Sequence, residues 1–452
     1  MKIGIVGWGI EGQSAYRYFG PDHEYLIVSE EPRDDFPIES DKLKLQFLSD
    51  TKPPGITSNA TDLSYLEGVE ECDKIVYSVT AVKNLEQKFE PGNDFWKKAT
   101  TVWHIFFENT PSRNLIGVTG SKGKGTTSTL VFEMLRAANI PVHLAGNIGT
   151  SVLDILTDVK DGDWVVLEVT NFQLYNFPYS PHLAVCLMIT EEHQDWHPNM
   201  EDYIKAKSNL FAHQKPDDIA IYFAKNHLSK QIAGTSPGIK VPYFDKPGAV
   251  AKDEGVIVVG DPEIEIIQTK DVKLIGEHNL ENICAATTVV WQITQNLEAV
   301  RSVITTFGGL EHRLEFVREI DRVKYYDDSF GTTPDTAIVA MKAFIEPKVL
   351  ILGGHDKGLS FEQLADEVVK QRVEKVIAIG ITAEKITNLL ADRGYTDVVT
   401  GLETMPEIVA AARAAAKPGD VVLLSAGTSS FGLFKDYKDR GAQFKAAVEA
   451  LA

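Results

Sequence analysis

The sequence predicts an α/β protein of three domains, each built on a parallel sheet. Three observations carry that expectation. Short apolar runs bounded by glycine alternate with helical patterns. A glycine turn, Gly7-Trp8-Gly9-Ile10-Glu11-Gly12, follows the first run, and a second one, Gly120-Ser121-Lys122-Gly123-Lys124-Gly125-Thr126-Thr127, follows a later run. Continuous β-branched runs suit strands buried on both faces, and their alternation with helices builds parallel sheets.

The runs lie at residues 2–6, 74–78, 115–119, 164–168, 184–189, 348–352, 375–379 and 420–424. Breaks near residues 109–111 (Asn-Thr-Pro) and 307–309 (Phe-Gly-Gly) suggest domains of residues 1–108, 109–308 and 309–452. The length of 452 residues fits about three domains of ~100–200 residues. With 44% apolar and 24% charged residues the balance is that of a soluble globular protein.

The net charge of −19 argues against nucleic acid or an anionic membrane as partner. It leaves room for a nucleotide, because a few local donors can hold phosphates on an acidic protein. Cys72, Cys186 and Cys284 are too sparse for a disulfide framework or a zinc ribbon and read as reduced thiols. No charged segment followed by a long apolar run opens the chain, and no window approaches the ~18 apolar residues of a membrane span. A cytoplasmic protein without membrane insertion is expected.

The second glycine turn is the strongest local signal. A strand, a glycine loop, a lysine and then a helix are the ingredients of a triphosphate site. The backbone N–H groups converge, the helix start carries partial positive charge, and Lys124 adds a full one. The dipole contributes only about 0.3–1 kcal/mol, so the N–H cradle and Lys124 must dominate. The loop is shorter than the usual G-x-x-x-x-G-K-[ST], with Gly125 where a hydroxyl is expected.

Downstream, Glu168 ends one buried run and His193 follows another, so both can converge above one sheet edge, where such sheets bind ligands. Glu168 reads either as a ligand for a hard cation such as magnesium or as a solvated strand end. His193 and His197 are four apart, as zinc ligands on a helix can be, but the segment lacks the HExxH glutamate and an obvious third ligand. Lys207 lies on a probable helix and, taken alone, is a surface lysine. The first glycine turn, with Glu30 further on, reads on pattern alone as NAD binding, with Glu30 on the ribose. A NAD-dependent dehydrogenase would leave the phosphate loop without a role.

The phosphate loop resembles the ATP loop of the Mur ligases and folylpolyglutamate synthetases, G-[TS]-x-G-K-[TS]-[TS]. Segments at 146–149, 168–174, 190–197, 203–207, 276–284, 309–315, 326–332, 353–358 and 425–437 are also similar to Mur ligases, above all to the members that add D-glutamate. The resemblance implies a Rossmann-like N-terminal domain, a central P-loop ATPase-like domain and a Rossmann-like C-terminal domain that binds the amino acid. It implies ATP and two Mg²⁺ ions as cofactors.

In that likeness residues 120–127 hold ATP, Asn279 and Asn282 lie near the adenine, Arg313 reaches the phosphates and Asp328 holds the ribose. Gly9, Ile10, Glu11, Glu30 and Ser78 would grip the UDP of the substrate, while Asn147, Thr170, Gln173 and His193 face its muramoyl part. Metal would be held by Thr126, Glu168, His193 and a carbamylated Lys207. Thr332, Lys357, Ser430 and Tyr437 would contact D-glutamate. The catalytic set is then Lys124, Glu168, His193, Lys207 and Arg313.

Three positions depart from the family. Gly125 leaves Thr126 alone to place magnesium, Ser78-Val79-Thr80 stands where Ser-Pro-Gly is common, and Phe330 replaces a lysine found in some members. The activity implied is ATP-dependent addition of D-glutamate to UDP-N-acetylmuramoyl-L-alanine in peptidoglycan synthesis, by a monomer acting on small molecules. Alternatives are a Mur ligase for another amino acid, a folylpolyglutamate synthetase, or, because of Gly125, a catalytically silent nucleotide-binding protein.

Overall fold

In the computed structural model, residues 1–31, 33, 35–48, 62–148, 150–190, 196–274, 276–356 and 358–451 are described. The chain divides into two units, Met1–Asp271 with Leu280–Thr305, and Val272–Asn279 with Thr306–Ala452.

The first unit opens with strands β1 (Lys2–Val6), β2 (Glu24–Ser29), β3 (Leu43–Phe47), β4 (Lys74–Tyr77) and β5 (Ala99–Thr100). They form one parallel sheet in the order β3-β2-β1-β4-β5. Strand order reverses between β1 and β4, and such a switch point leaves a crevice beyond the carboxyl ends of the strands. The first glycine turn follows β1, and Ser78 follows β4. Gly12 lies so close to this turn that a Cβ there would meet the Gly7 carbonyl oxygen at 2.0 Å, so only glycine lets the helix Ile10–Phe19 start here.

The second sheet contains β6 (Leu115–Thr119), β7 (Val142–Gly146), β8 (Trp164–Glu168), β9 (Leu183–Cys186), β10 (Ile219–Phe223) and β11 (Ile239–Tyr243). All pairings are parallel, in the order β11-β10-β9-β6-β8-β7. Every residue of β6 is buried, as its continuous apolar sequence requires. The helices Lys124–Ala137 and Met200–Ala212 pack on this sheet, the first burying Leu130, Val131, Met134 and Leu135. One apolar core runs from Ile3, Ile5 and Trp8 through Trp103 and Phe106 to Leu167 and Leu210, so the two sheets share an interior.

Strand β9 stops at Cys186, short of the run expected to reach residue 189. The reason is local: the Met188 carbonyl accepts from Ser121 N–H, and Thr190 N–H donates to Ser121 Oγ, so this stretch binds the phosphate loop and not a neighbouring strand.

A small antiparallel meander of β12 (Val250–Ala251), β13 (Val256–Val259) and β14 (Ile264–Gln268) completes the strands of this unit. It was not expected from the sequence, where such short runs carry little periodicity.

The second unit is built on β15 (Glu315–Ile320), β16 (Val323–Asp327), β17 (Lys348–Gly353), β18 (Val373–Ile379), β19 (Val398–Val399) and β20 (Val421–Leu424). Their order is β15-β16-β20-β17-β18-β19, parallel throughout except for the edge pair β15–β16. Cys72, Cys186 and Cys284 are buried free thiols. Among the described residues no helix is long and apolar enough to cross a membrane.

Candidate active site

The phosphate loop joins the end of β6 to the helix Lys124–Ala137, with Gly123 in a left-handed conformation at its N-cap (φ +84°). A Cβ on Gly123 would lie 2.2 Å from Asn282 Oδ1, so close packing as well as φ reserves this position for glycine. Ser121 is buried and anchors the loop: its Oγ donates to the Thr190 carbonyl (3.0 Å) and lies 3.1 Å from the Tyr203 hydroxyl. Lys124 Nζ donates to the carbonyls of Gly120 (2.9 Å) and Ser121 (2.8 Å). Its charge is thus held over the loop where an anion would lie. Gly125 is buried in the first helical turn, Thr126 is half-buried, and the Thr127 hydroxyl donates to Asn282 Oδ1 (3.4 Å). Lys122 is exposed.

Register sets the second group. Val118 of β6 pairs with Glu168 of β8, so the carboxylate sits at the same level of the sheet edge as the start of the loop. Glu168 is buried, and its Oε1 accepts from Asn147 Nδ2 (3.1 Å). Lys207, read alone as a surface lysine, is 1% exposed, because it lies on the inner face of the helix Met200–Ala212. Its Nζ donates to the Gly120 carbonyl (3.1 Å) and Thr119 Oγ1 (3.4 Å) and stands over the Tyr203 ring. Two lysines therefore converge on one loop carbonyl.

His197 is held by neighbouring side chains. It is buried, with Nδ1 2.6 Å from Asp202 and Nε2 2.9 Å from the Asn171 amide. Both ring nitrogens are thus engaged. Burial holds its pKa down, against the opposing pull of Asp202. His193 lies outside the described residues, as does Lys357.

A cleft of about 190 Å³ lies between the carboxyl ends of the first two sheets. Gly9, Ile10, Glu11 and Ser78–Thr80 line one side, and Gly146, Asn147 and Gln173 the other, with Trp103 between. Six residues expected on the UDP-linked substrate (Gly9, Ile10, Glu11, Ser78, Asn147 and Gln173) thus line one cavity. Thr170 belongs to the same network: its N–H (2.9 Å) and its hydroxyl both donate to Gln173 Oε1, which turns Gln173 Nε2 toward Glu11 Oε1 (3.5 Å). Glu30 is not among the lining residues; its Oε1 accepts from Asn84 Nδ2 (2.6 Å) and the Tyr65 hydroxyl.

Trp103 was missed by the sequence reading. Its buried indole N–H donates to Glu11 Oε1 (3.0 Å). The available signal was general: a buried tryptophan needs a partner for that N–H.

In the second unit a tight loop places Arg313 over the Phe330 ring (3.8 Å), and Phe330 packs edge-on against Tyr437. Asp328 is buried beyond β16, with its carboxylate accepting from Ser425 Oγ (2.7 Å) and Leu314 N–H (3.3 Å). Burial lifts its pKa to about 7, despite the lowering effect of Ser425, Leu314 and Arg313. Buried Arg440, also unforeseen, donates to Ser329 Oγ (2.9 Å), the Ser329 carbonyl (2.7 Å) and the Thr428 carbonyl (3.2 Å). Desolvation brings its guanidinium down to about 10. Arg440 thereby ties the Asp328 segment to the loop of Ser430 and to the helix that begins at Tyr437. Thr332 is half-buried just before the N-cap of the helix Pro334–Lys342, and Ser430 is buried. Asn279 and Asn282 are buried on the helix Glu277–Trp291.

Residues 118–290 match the Mur ligase middle domain, and residues 312–427 match the Mur ligase, glutamate ligase domain. The chain is 36% identical to the UDP-N-acetylmuramoylalanine–D-glutamate ligase of Clostridioides difficile (strain 630) over 100% of its own length and 98% of the relative's. It is 39% identical to the protein of that name in Symbiobacterium thermophilum, over 75% of this chain and 76% of the relative. Among solved structures, MurF ligase from Thermotoga maritima in complex with ADP shares the fold, with a TM-score of 0.60 at 18% identity over 100% of this chain and 95% of that one.

Proposed function

The chain belongs to the Mur ligase family, and from that premise we propose that it joins D-glutamate to UDP-N-acetylmuramoyl-L-alanine with ATP, in peptidoglycan synthesis. The observation that carries this reading is the alignment, along one sheet edge, of a lysine-bearing phosphate loop, the Glu168 carboxylate and a cleft that reaches back to the first glycine turn.

The reaction divides into two displacements. A carboxylate oxygen of the alanyl group attacks the γ-phosphorus of ATP, and ADP leaves. The D-glutamate nitrogen then attacks the carbonyl carbon of the acyl phosphate, loses a proton and expels phosphate. Lys124 and Arg313 spread the charge that develops on the transferred group. The loop N–H groups hold the triphosphate, Asn279 and Asn282 the adenine, and Asp328 the ribose. Asn147, Thr170 and Gln173, with His193, orient the muramoyl substrate, and Gly9, Ile10, Glu11, Glu30 and Ser78 its UDP. Thr332, Lys357, Ser430 and Tyr437 bind D-glutamate. Bringing the reactants together in a fixed orientation can contribute up to about 7–11 kcal/mol.

The donor set fits magnesium at Glu168, a buried oxygen ligand with the Asn147 amide as its described partner, and at the Thr126 hydroxyl. Lys207 as an ammonium would repel a cation, whereas its carbamate would supply a carboxylate beside the loop. When bound, Mg²⁺ neutralises phosphate charge. The three larger sheets are proposed as the centres of domains 1–108, 109–308 and 309–452, in a cytoplasmic monomer.

The test is ADP release from ATP and UDP-N-acetylmuramoyl-L-alanine with candidate amino acids offered singly. D-Glutamate is expected to support turnover at least about tenfold faster than L-alanine, L-glutamate or a diamino acid, a difference of ~1.4 kcal/mol or more. Equal rates with another amino acid would replace the specificity, and no dependence on the UDP-linked substrate would remove the reading.

A further inference from the structure

The cleft assigned to the UDP-linked substrate carries the wrong charge for a diphosphate. Among the described residues no lysine, arginine or histidine lines it, and Glu11 is the one charged residue of that described lining. The start of the helix Ile10–Phe19 supplies backbone donors and about half a positive charge, which does not balance a diphosphate and a carboxylate together.

The carboxylate is nevertheless built in. Its Oε1 accepts from Trp103 Nε1 (3.0 Å) and Gln173 Nε2 (3.5 Å), and its Oε2 accepts from Val79 N–H (3.4 Å). Glu11 thus ties the first glycine turn both to the helix Val102–Asn109 and to the segment after β8.

Among the described residues, the charged groups on the surrounding elements have partners of their own. Arg17, on the same helix, pairs with Asp154 of the facing helix Val152–Ile155 (2.8 Å). Lys83, on the helix after Ser78–Thr80, donates to the Trp196 carbonyl, and Glu86 of that helix accepts from Tyr175 (3.3 Å). Glu168 accepts from Asn147, Glu30 from Asn84, and Glu108 from Tyr179 (2.7 Å). His104, beside Trp103, stacks on Phe177. Among the described residues, burial is the main influence on Glu11 and raises its pKa, while hydrogen bonds from Trp103, Gln173, Val79 and Ser78 lower it.

We propose that Glu11 is a proton-linked positioning residue: ionised, it clamps the glycine turn to Trp103 and Gln173, and it takes up one proton when the diphosphate of the UDP-linked substrate enters the cleft. This rests on the assignment of the cleft made above. Each full negative charge brought within about 6 Å, at an effective dielectric constant near 20, raises the proton affinity of a carboxylate about a hundredfold. The proton comes from solvent and goes to Oε2, whose backbone donor is the more distant, while Oε1 keeps the Trp103 N–H. The neutral carboxyl can then donate to a phosphate oxygen where the carboxylate would repel it.

The sign follows from linkage. Below the pKa of free Glu11 the proton is already present and the substrate binds best. As pH rises above that value, KM for the UDP-linked substrate rises by up to about tenfold per pH unit, until the pKa of the complex is passed.

The experiment titrates the full chain with UDP-N-acetylmuramoyl-L-alanine by calorimetry in buffers of different ionisation enthalpy near about pH 7. Uptake of about one proton per ligand is expected for the wild type and for Glu11→Asp, and none for Glu11→Gln, whose KM for this substrate should not change with pH. Binding without proton uptake in the wild type, or equal uptake in Glu11→Gln, overturns the proposal and leaves the assignment of the cleft standing. If ATP binds and the UDP-linked substrate does not, both fall. Should Glu11→Gln not fold, the wild-type buffer series and Glu11→Asp decide.

Discussion

The first unit contains two glycine turns of the same construction, and the side chains that converge on them carry opposite charge. Each follows an inner strand of a parallel sheet, and each opens a helix, Ile10–Phe19 in one case and Lys124–Ala137 in the other. At the phosphate loop the side chains that converge on the backbone are cations, Lys124 and Lys207 on the Gly120 carbonyl. At the first turn the converging side chain is the Glu11 carboxylate, held by neutral donors. On the proposed assignment backbone geometry makes a place for phosphate in both, and the side chains decide whether the phosphate is to react or only to be held. A triphosphate that transfers its end group needs a cation that follows the moving charge, whereas a diphosphate used as a handle needs no such help.

The largest effect should come from removing that cation. Lys124→Ala is expected to lower ADP formation by about 10³–10⁵-fold at saturating substrates, in line with the removal of other charge-stabilising groups in phosphoryl transfer. Affinity for the UDP-linked substrate, measured by calorimetry without ATP, should change little. Near wild-type turnover would mean that the two turns do not differ in role.

The glycines of the first turn should separate fold from binding. Gly12→Ala places a Cβ 2.0 Å from the Gly7 carbonyl oxygen, a backbone atom that cannot swing aside. A stability loss of about 1–3 kcal/mol or more is expected, visible as a lowered Tm. Gly9, with φ −80°, has no atom within 4 Å of an added Cβ and lines the cleft. Gly9→Ala should therefore leave Tm nearly unchanged and raise KM for the UDP-linked substrate about tenfold, or ~1.4 kcal/mol. A drop in Tm with unchanged KM would show that the ligand does not approach this backbone.

Local chemistry made both turns legible in the sequence, because a buried strand, glycines at fixed spacing and a helix start are written within about 20 consecutive residues. The same holds for the strands at 115–119 and 164–168, whose runs are continuous because both faces are covered. What joins the turns was not legible. Glu11 meets Trp103 and Gln173 across 92 and 162 residues of sequence, and no periodicity marks a contact of that kind. Lys207 was ambiguous because a helix lysine is buried or exposed according to which face meets the sheet, and here it faces the loop carbonyl. His197 suggested a metal ligand by spacing, but Asp202 and Asn171 occupy its nitrogens. In the second unit, Asp328 and Arg313 stood within recognisable segments, while Arg440, which holds the Asp328 segment through Ser329, lies 111 residues away from Ser329.

The subtlest test concerns the neutral donors around Glu11. Trp103→Phe keeps the buried ring and removes only the indole N–H that reaches Oε1. One hydrogen bond to a charged group is worth about 1.5–3 kcal/mol when a buried partner loses it, and less here because Gln173 and Val79 still donate. The hydrogen bond from Trp103 lowers the pKa of Glu11, so its loss must raise that pKa further. Measured as KM for the UDP-linked substrate against pH, the rise expected for the wild type should begin at a higher pH in Trp103→Phe. At a fixed pH above the wild-type break, the variant should then bind more tightly despite having one contact fewer. A break that moves to lower pH, or does not move, would show that the indole positions the ring alone and does not hold the charge that sets this turn apart from the phosphate loop.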